Sequence, residues 1–482
     1  MNEPMSVFGN AMTTSVINAA KKVRNSIVGK YGDDSVSAHH FTVERHPILE
    51  ELGGRLVIPS AEALDYNELA KPLIISNIGD GSSGLRAALA MCSAARALGY
   101  TALWFDLSCY PASGASNRLQ HIKEKDFNGN TLAMRSRLFS NFFWEGSHIK
   151  NKRSLKQNLK DLYASELLAP FYLDFKTSTP VVALHPFAAQ GAVHAGMEHI
   201  VTALIGNCPL GTQLAEGTVH TAQTPYAYLG YKMLRGMYNG KQTQCIPENE
   251  LVYAGHYVDH LMVQHLERDC DKRIARAKSS SALRWVISFD DLTLEKDCLQ
   301  IILEKLLTLE KEKRAVLLIN IGKHKKLWEE LKKSIPNLRM WALEYPDDYT
   351  SIKNLSDDLR TKKPIEGIHV FSSDDYITNV YNTNLLIRGS DILLTRANEL
   401  AFYPIPKIIT KRSCREEFWN GIHCAELGDG TFECTTAPQI CQMIEMLDRD
   451  RDAYISMCKC IQKGQSNGMY GGAYEAVRLA TE

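Results

Sequence analysis

Residues 71–106 read KPLIISNIGDGSSGLRAALAMCSAARALGYTALWFD. An apolar run, Leu73–Ile75, ends in the loop Gly79-Asp80-Gly81-Ser82-Ser83-Gly84. A helix follows, with Leu85, Leu89, Cys92, Ala95 and Leu98 along one face and Gly99 at its end. A second apolar run, Thr101–Phe105, ends in Asp106. Strand, glycine loop, helix and strand make the unit of a parallel α/β sheet. Glycines let the chain turn sharply and approach a ligand, and the helix start offers free N–H groups to an anion. The loop fits G-x-G-x-x-G in the setting that pattern needs. Gly79, Gly81, Ser82, Ser83 and Gly84 are therefore candidate ligand-facing residues. Asp106 stands where a ribose-binding carboxylate would sit. The same residues also suit a tight turn with no ligand.

Working outward, 482 residues are too many for one ordinary domain. Apolar residues make up 45% and charged residues 23%, as in globular proteins with large cores. The formal net charge is zero, which gives no reason to expect a nucleic-acid partner. Twelve cysteines are scattered with no C-x-x-C pair, which argues reduced thiols, no metal site and a cytoplasmic protein. No leader-like or membrane-spanning apolar run is expected. Lys150–Lys160 reads KNKRSLKQNLK; a solvated helix face explains it, and contact with a membrane surface is the alternative. Nothing in the sequence fixes an oligomeric state.

Residues 1–70 are expected to pack on the first domain as an N-terminal extension. Strand and helix patterns then alternate over 71–277. Pro180–Leu184 is a strand that meets His185 at its C-terminal end, the edge where ligands bind in open parallel sheets. His185 is the candidate acid/base, since imidazole titrates near neutrality. The segment after it reads as a loop and one amphipathic helix, putting His194 and Glu198 on one face, with His199 adjoining. Glu216, His220 and Gln223 are polar residues near strand ends that could line the same cleft. Lys278–Ser281 reads as a linker. The pattern restarts over 282–450, beginning with the strand Leu283–Phe289 and Asp290-Asp291, and 451–482 form a helical tail. The fold expected is α/β, with two Rossmann-like doubly wound domains facing a cleft.

Two segments carry a resemblance. IGDGSSGLRAALAMCSAARALG is similar to the N-terminal loop and helix of the bacterial peptidoglycan N-acetylglucosamine transferase and the monogalactosyldiacylglycerol synthases. SDILLTRANEL, Ser390–Leu400, is similar to the segment in which such enzymes pass from a strand into the donor-binding loop. With two α/β domains, the chain resembles glycosyltransferases of the GT-B architecture. HPFAAQGAVHAG and ELAFYPIPK resemble a family of this kind with no assigned activity. The resemblance implies a nucleotide-sugar substrate, a UDP-sugar first, and no required cofactor or metal. By position it makes Arg396, Asn398 and Glu399 the donor contacts. An arginine can clamp a diphosphate and a carboxylate can accept sugar hydroxyls.

Three readings follow. The first is a glycosyltransferase, with His185 as the base or positioning residue for the acceptor. The second is a non-catalytic ligand-binding protein on the same scaffold. It is favoured by Asp290-Asp291 where a glycine loop is usual, and by Glu399–Pro404 where small residues are usual. The third is an NAD(P)-dependent oxidoreductase using Gly79–Gly84 and Asp106.

Overall fold

The structure is a computed structural model and describes residues 5–33, 37, 39–67, 69–79, 82–109, 114–120, 155–233, 246–361 and 364–482. The chain divides into two units, Met1–Tyr257 with Gly471–Glu482, and Val258–Tyr470. Each is Rossmann-like and doubly wound around its own parallel sheet.

The first unit opens with the hairpin β1 (Ser6–Val7) and β2 (Asn10–Ala11). Its main sheet is built from β3 (His40–Glu44), β4 (Gly54–Ser60), β5 (Pro72–Asn77), β6 (Thr101–Asp106), β7 (Val181–Ala183), β8 (Ile200–Leu204), β9 (Val219–Ala222) and β10 (Leu251–Tyr253). Their order is β10-β9-β8-β7-β5-β6-β4-β3, and only β3 and β4 pair antiparallel. The strand read first in the sequence is central. Leu73, Ile74 and Ile75 are fully buried, as in a parallel strand covered on both faces. Ile74 pairs with Leu103 on one side and Val181 on the other.

Part of the N-terminal 70 residues belongs to the sheet rather than lying on it. Val43 pairs with Val57, and Leu56 with Trp104. Phe41 is fully buried, edge-on to Phe105 at 4.8 Å between ring centres. The helix expected beyond His185 is two elements. Pro186–His194 is helical, Gly196 takes a positive φ of 81° that ends the helical path, and β8 begins at Ile200. His194 and Glu198 are thereby parted: His194 Nε2 lies 2.9 Å from the Leu162 carbonyl, while Glu198 accepts from Thr177 Oγ1.

The second unit has β11 (Leu283–Ser288), β12 (Ala315–Asn320), β13 (Ala342–Pro346), β14 (Ile368–Ser372), β15 (Ile392–Arg396) and β16 (Lys407–Thr410). All are parallel, in the order β13-β14-β12-β11-β15-β16. Trp285, Ile287, Leu303, Leu317, Ile319 and Trp328 share its core.

The break between units falls earlier than the expected linker. The helix His260–Lys278 belongs to the second unit, because its buried Arg273 is bonded there. That guanidinium donates to the carbonyls of Ser390 at 2.7 Å, Pro404 at 3.0 Å and Ile387 at 3.0 Å. Lys278–Ser281 is the turn into β11, with Ser280 at φ 52°. The expected tail also divides. Arg451–Ser466 packs on His260–Lys278, whereas Gly472–Thr481 returns to the first unit against Ser82–Ala97.

Candidate functional site

Ligands of open parallel sheets bind beyond the C-terminal strand ends, where the strand order reverses. In the first unit that point lies between β5 and β7, and the sequence-expected residues gather there. Gly79, at φ 58°, follows β5 and donates its N–H to Asp106 Oδ1 at 2.9 Å. The same oxygen accepts the Ser108 N–H at 2.9 Å and its hydroxyl at 2.7 Å. Asp106 therefore anchors the loop, which counts against a ribose-binding role. A Cβ on Gly84 would lie 2.6 Å from Asn77 Nδ2, so any larger residue there has to displace the buried Asn77 side chain, a packing reason for glycine. Gly81 and the side chains of Ser82 and Ser83 lie outside the described residues, as does the start of the basic run at Lys150.

His185 follows β7 and caps the helix Pro186–His194. Its Nδ1 accepts the Phe187 N–H at 3.1 Å. The neutral ring then carries its proton on Nε2. Held this way, His185 is suited to position or protonate a group rather than to take a proton from it.

Glu216 and His220 sit toward the opposite, N-terminal edge of β9. His220 is fully buried; Nδ1 donates to the Glu250 carbonyl at 3.0 Å and Nε2 accepts the Ala215 N–H at 3.0 Å. Burial pushes its pKa down to about 4. Burial likewise pushes Glu216 up to about 7. The signs oppose. An unfolded histidine, with a pKa near 6.5, binds a proton the folded one refuses, so its contribution falls as pH drops from about 6.5 to 4. The folded glutamate binds a proton the unfolded one lacks between about pH 7 and 4.5, so its contribution rises. Glu216→Gln is expected to unmask the histidine, losing roughly 3 kcal/mol between pH 6.5 and 4. Urea unfolding across that range checks this; a flat profile in the variant contradicts it. Gln223 is at the C-terminal end of β9, but it accepts the Tyr257 N–H at 3.0 Å and bonds the Ile205 carbonyl, a structural role.

In the second unit the strand order reverses between β11 and β15. This brings Asp290-Asp291 beside Arg396–Glu399, two segments a hundred residues apart. Asn398 Nδ2 donates to Asp291 Oδ1 at 2.6 Å, and both residues are buried. Asn398 also caps the short turn Glu399–Phe402 through the Leu400 N–H. Arg396 Nε donates to Glu417 Oε1 at 2.9 Å and Nη1 to the Asp290 carbonyl at 3.0 Å. Burial works against its charge, and the nearby Glu417 and Asp291 carboxylates outweigh that and keep it protonated.

Further residues of this edge escaped the sequence reading. His324 Nε2 lies 2.7 Å from Asp290 Oδ1, and Asn379 Nδ2 bonds Asp290 Oδ2. Asn320 donates to the Asn379 carbonyl at 2.8 Å and to Thr383 Oγ1 at 2.9 Å. Glu417 also accepts the Ser413 N–H at 2.7 Å. They lie at the end of β12 or in the segments that follow β12, β14 and β16, so no local spacing marks them; only the strand order does. Gly322, at φ 52°, leaves room for this cluster, since a Cβ there would lie 2.3 Å from Asp290 Oδ2. Gly322→Ala is expected to cost about 2 kcal/mol and to displace Asp290. Thermal unfolding is the check; an unchanged Tm contradicts it. Among the described residues, no group of three or more His, Cys, Asp or Glu could hold a metal ion, and no helix is long and apolar enough to cross a membrane.

Residues 6–233 match the model of a domain of unknown function, DUF6937, and residues 246–481 match that of another, DUF6938. No curated protein matches the chain. Among solved structures it is similar to UDP-GlcNAc 2-epimerase from Neisseria meningitidis, at 11% identity and TM-score 0.43, over 84% of this chain and 98% of that one. It is similar to a trehalose-phosphate synthase from Burkholderia xenovorans, at 9% identity and TM-score 0.40, over 85% and 99%. A glycosyltransferase from Rickettsia africae is similar at 13% identity and TM-score 0.39, over 85% and 98%.

Proposed function

We propose that this chain is a glycosyltransferase that takes a nucleotide sugar at the C-terminal edge of its six-stranded sheet. The observation that supports this reading is the state of Arg396. Two of its guanidinium nitrogens are held by Glu417 and the Asp290 carbonyl, while Nη2 has no hydrogen bond among the described residues. A cation fixed at the strand-order reversal meets a diphosphate with little ordering cost. In this reading Glu399 accepts sugar or ribose hydroxyls and Asn398 holds the loop.

The transfer balances without a cofactor. The acceptor hydroxyl oxygen bonds the anomeric carbon, and the bond from that carbon to the diphosphate oxygen breaks. The nucleoside diphosphate leaves with the electron pair, its growing charge met by Arg396. The acceptor's proton passes to solvent or to a base.

A second reading, a non-catalytic nucleotide-sugar binder, is favoured by Asp290. Its carboxylate and its His324 and Asn379 partners fill the place where a glycine loop would admit phosphates. Calorimetric titration of the full chain with UDP, GDP, CDP and their sugars tests both. One nucleotide series is expected to bind, and Arg396→Lys and Glu399→Ala each to weaken it about tenfold, 1.4 kcal/mol. Binding with no transfer across a panel of acceptors supports the second reading. No binding by any member defeats both.

A further inference from the structure

The second unit has a cavity of about 1100 Å³ at the other end of its sheet. Its walls include the starts of β11 and β12 and the turn before β14, all N-terminal strand ends. Strands of six residues put it roughly 20 Å from the Arg396 edge. It is roomy enough for a small organic ligand.

Among the described residues, six basic ones line it: Lys272, Arg276, Arg284, Lys311, Lys313 and Arg360. Two carboxylates, Glu310 and Glu366, share the wall. Arg276 is neutralised by Asp391 at 2.6 Å, and Arg360 pairs with Asp357. The other four make no ion pair among the described residues. Two of them have a structural task. Helices running back from the sheet end here, and Lys272 donates to the Arg360 carbonyl at 2.6 Å, while Arg284 donates to the Gly389 carbonyl at 3.0 Å and to that of Leu359. Positive groups at helix C-termini are favourable. Lys311 closes the last turn of the helix Lys296–Lys311, whereas the exposed Lys313 just beyond it has no side-chain partner among the described residues. Burial, aided by Arg268, Arg276 and Arg360 against Asp269, holds the Lys272 ammonium below its usual value.

Apart from Ser281 and Thr361, the rest of the described lining is apolar. Val316 and Ile365 contribute, and Trp341 presents a ring 39% exposed, with the Lys311 ammonium 5.0 Å from its centre. Basic side chains and an indole ring in one cavity match a molecule with both an anionic and a ring-bearing part.

We propose that this cavity is a second ligand site, for a phosphorylated small molecule with a ring-bearing body, of the nucleoside monophosphate class. The phosphate lies toward Lys272, Arg284 and Lys313, and the ring lies along Trp341. The site is separate from the one that would take a nucleotide sugar.

Calorimetric titration of the full chain with AMP and UMP, and with adenosine, uridine and inorganic phosphate as half-ligands, tests it. At least one monophosphate is expected to bind ten times more tightly than either of its halves. Trp341→Ala and Lys313→Glu, both at exposed positions, are expected to weaken it tenfold or more. Arg396→Lys is expected to leave it unchanged. The proposal is overturned if neither monophosphate binds, or if binding survives both cavity variants. It is also overturned if binding is lost only in Arg396→Lys, which would move it to the other edge.

Discussion

Arg273→Leu is expected to destabilise the second unit by roughly 3 kcal/mol or more. The side chain is 2% exposed and its donors serve the carbonyls of Ser390, Pro404 and Ile387. Leucine fills part of the volume but leaves three acceptors without those donors, and each buried unsatisfied group costs about 1–3 kcal/mol. The loss also frees the helix His260–Lys278 from the segments on either side of β15. Neighbouring Arg276 does not compensate, because it is committed to Asp391, which also accepts the Arg284 N–H at 2.8 Å and the Tyr454 hydroxyl at 3.2 Å. Urea unfolding followed by hydrogen exchange in β11 and β15 measures the loss. A change under about 1 kcal/mol would mean that water reaches these carbonyls.

The second large effect is expected at Gly472. Its N–H donates to the His256 carbonyl at 3.0 Å, and a Cβ there would stand 2.0 Å from the Gly255 carbonyl oxygen. That atom is backbone and cannot swing aside. Gly472→Val should therefore lift the helix Gly472–Thr481 from Ser82–Ala97, uncovering Ala473, Ala476, Val477 and Ala480, all fully buried. The cost is on the order of 3 kcal/mol. Limited proteolysis reads it directly: early cleavage near residue 470 is expected in the variant, and an unchanged digestion pattern would show that the chain relieves the clash locally.

These two positions also mark where the sequence ran out. The strand Leu73–Ile75, its glycine loop and the alternation after Leu283 were legible because parallel strands are continuous apolar runs between helical periods. His185 and Gly79 were correctly set at strand ends, and the strand order then made those ends neighbours. Ile200–Leu204 was hidden because a short apolar run after a helix continues the helix's own apolar pattern; Gly196 was the available signal. Arg273 looked like any charged residue of an amphipathic helix, since nothing local says that three distant carbonyls will meet it. Asp391, read as the head of a donor segment, sits at the N-terminal end of β15 and holds Arg276 and Tyr454. Asp290-Asp291 was visible as a departure from a glycine loop. Its partners His324 and Asn379 were not, because they converge only through the order of the strands.

The most direct measurement is hydrogen–deuterium exchange of the full chain, alone and with saturating UDP-sugar of the series that binds. Protection confined to 289–291, 322–324 and 397–402 is the result expected if the β11–β15 edge takes the donor. Protection around Gly79 and His185 without any at those segments would contradict the assignment of the donor to the six-stranded sheet.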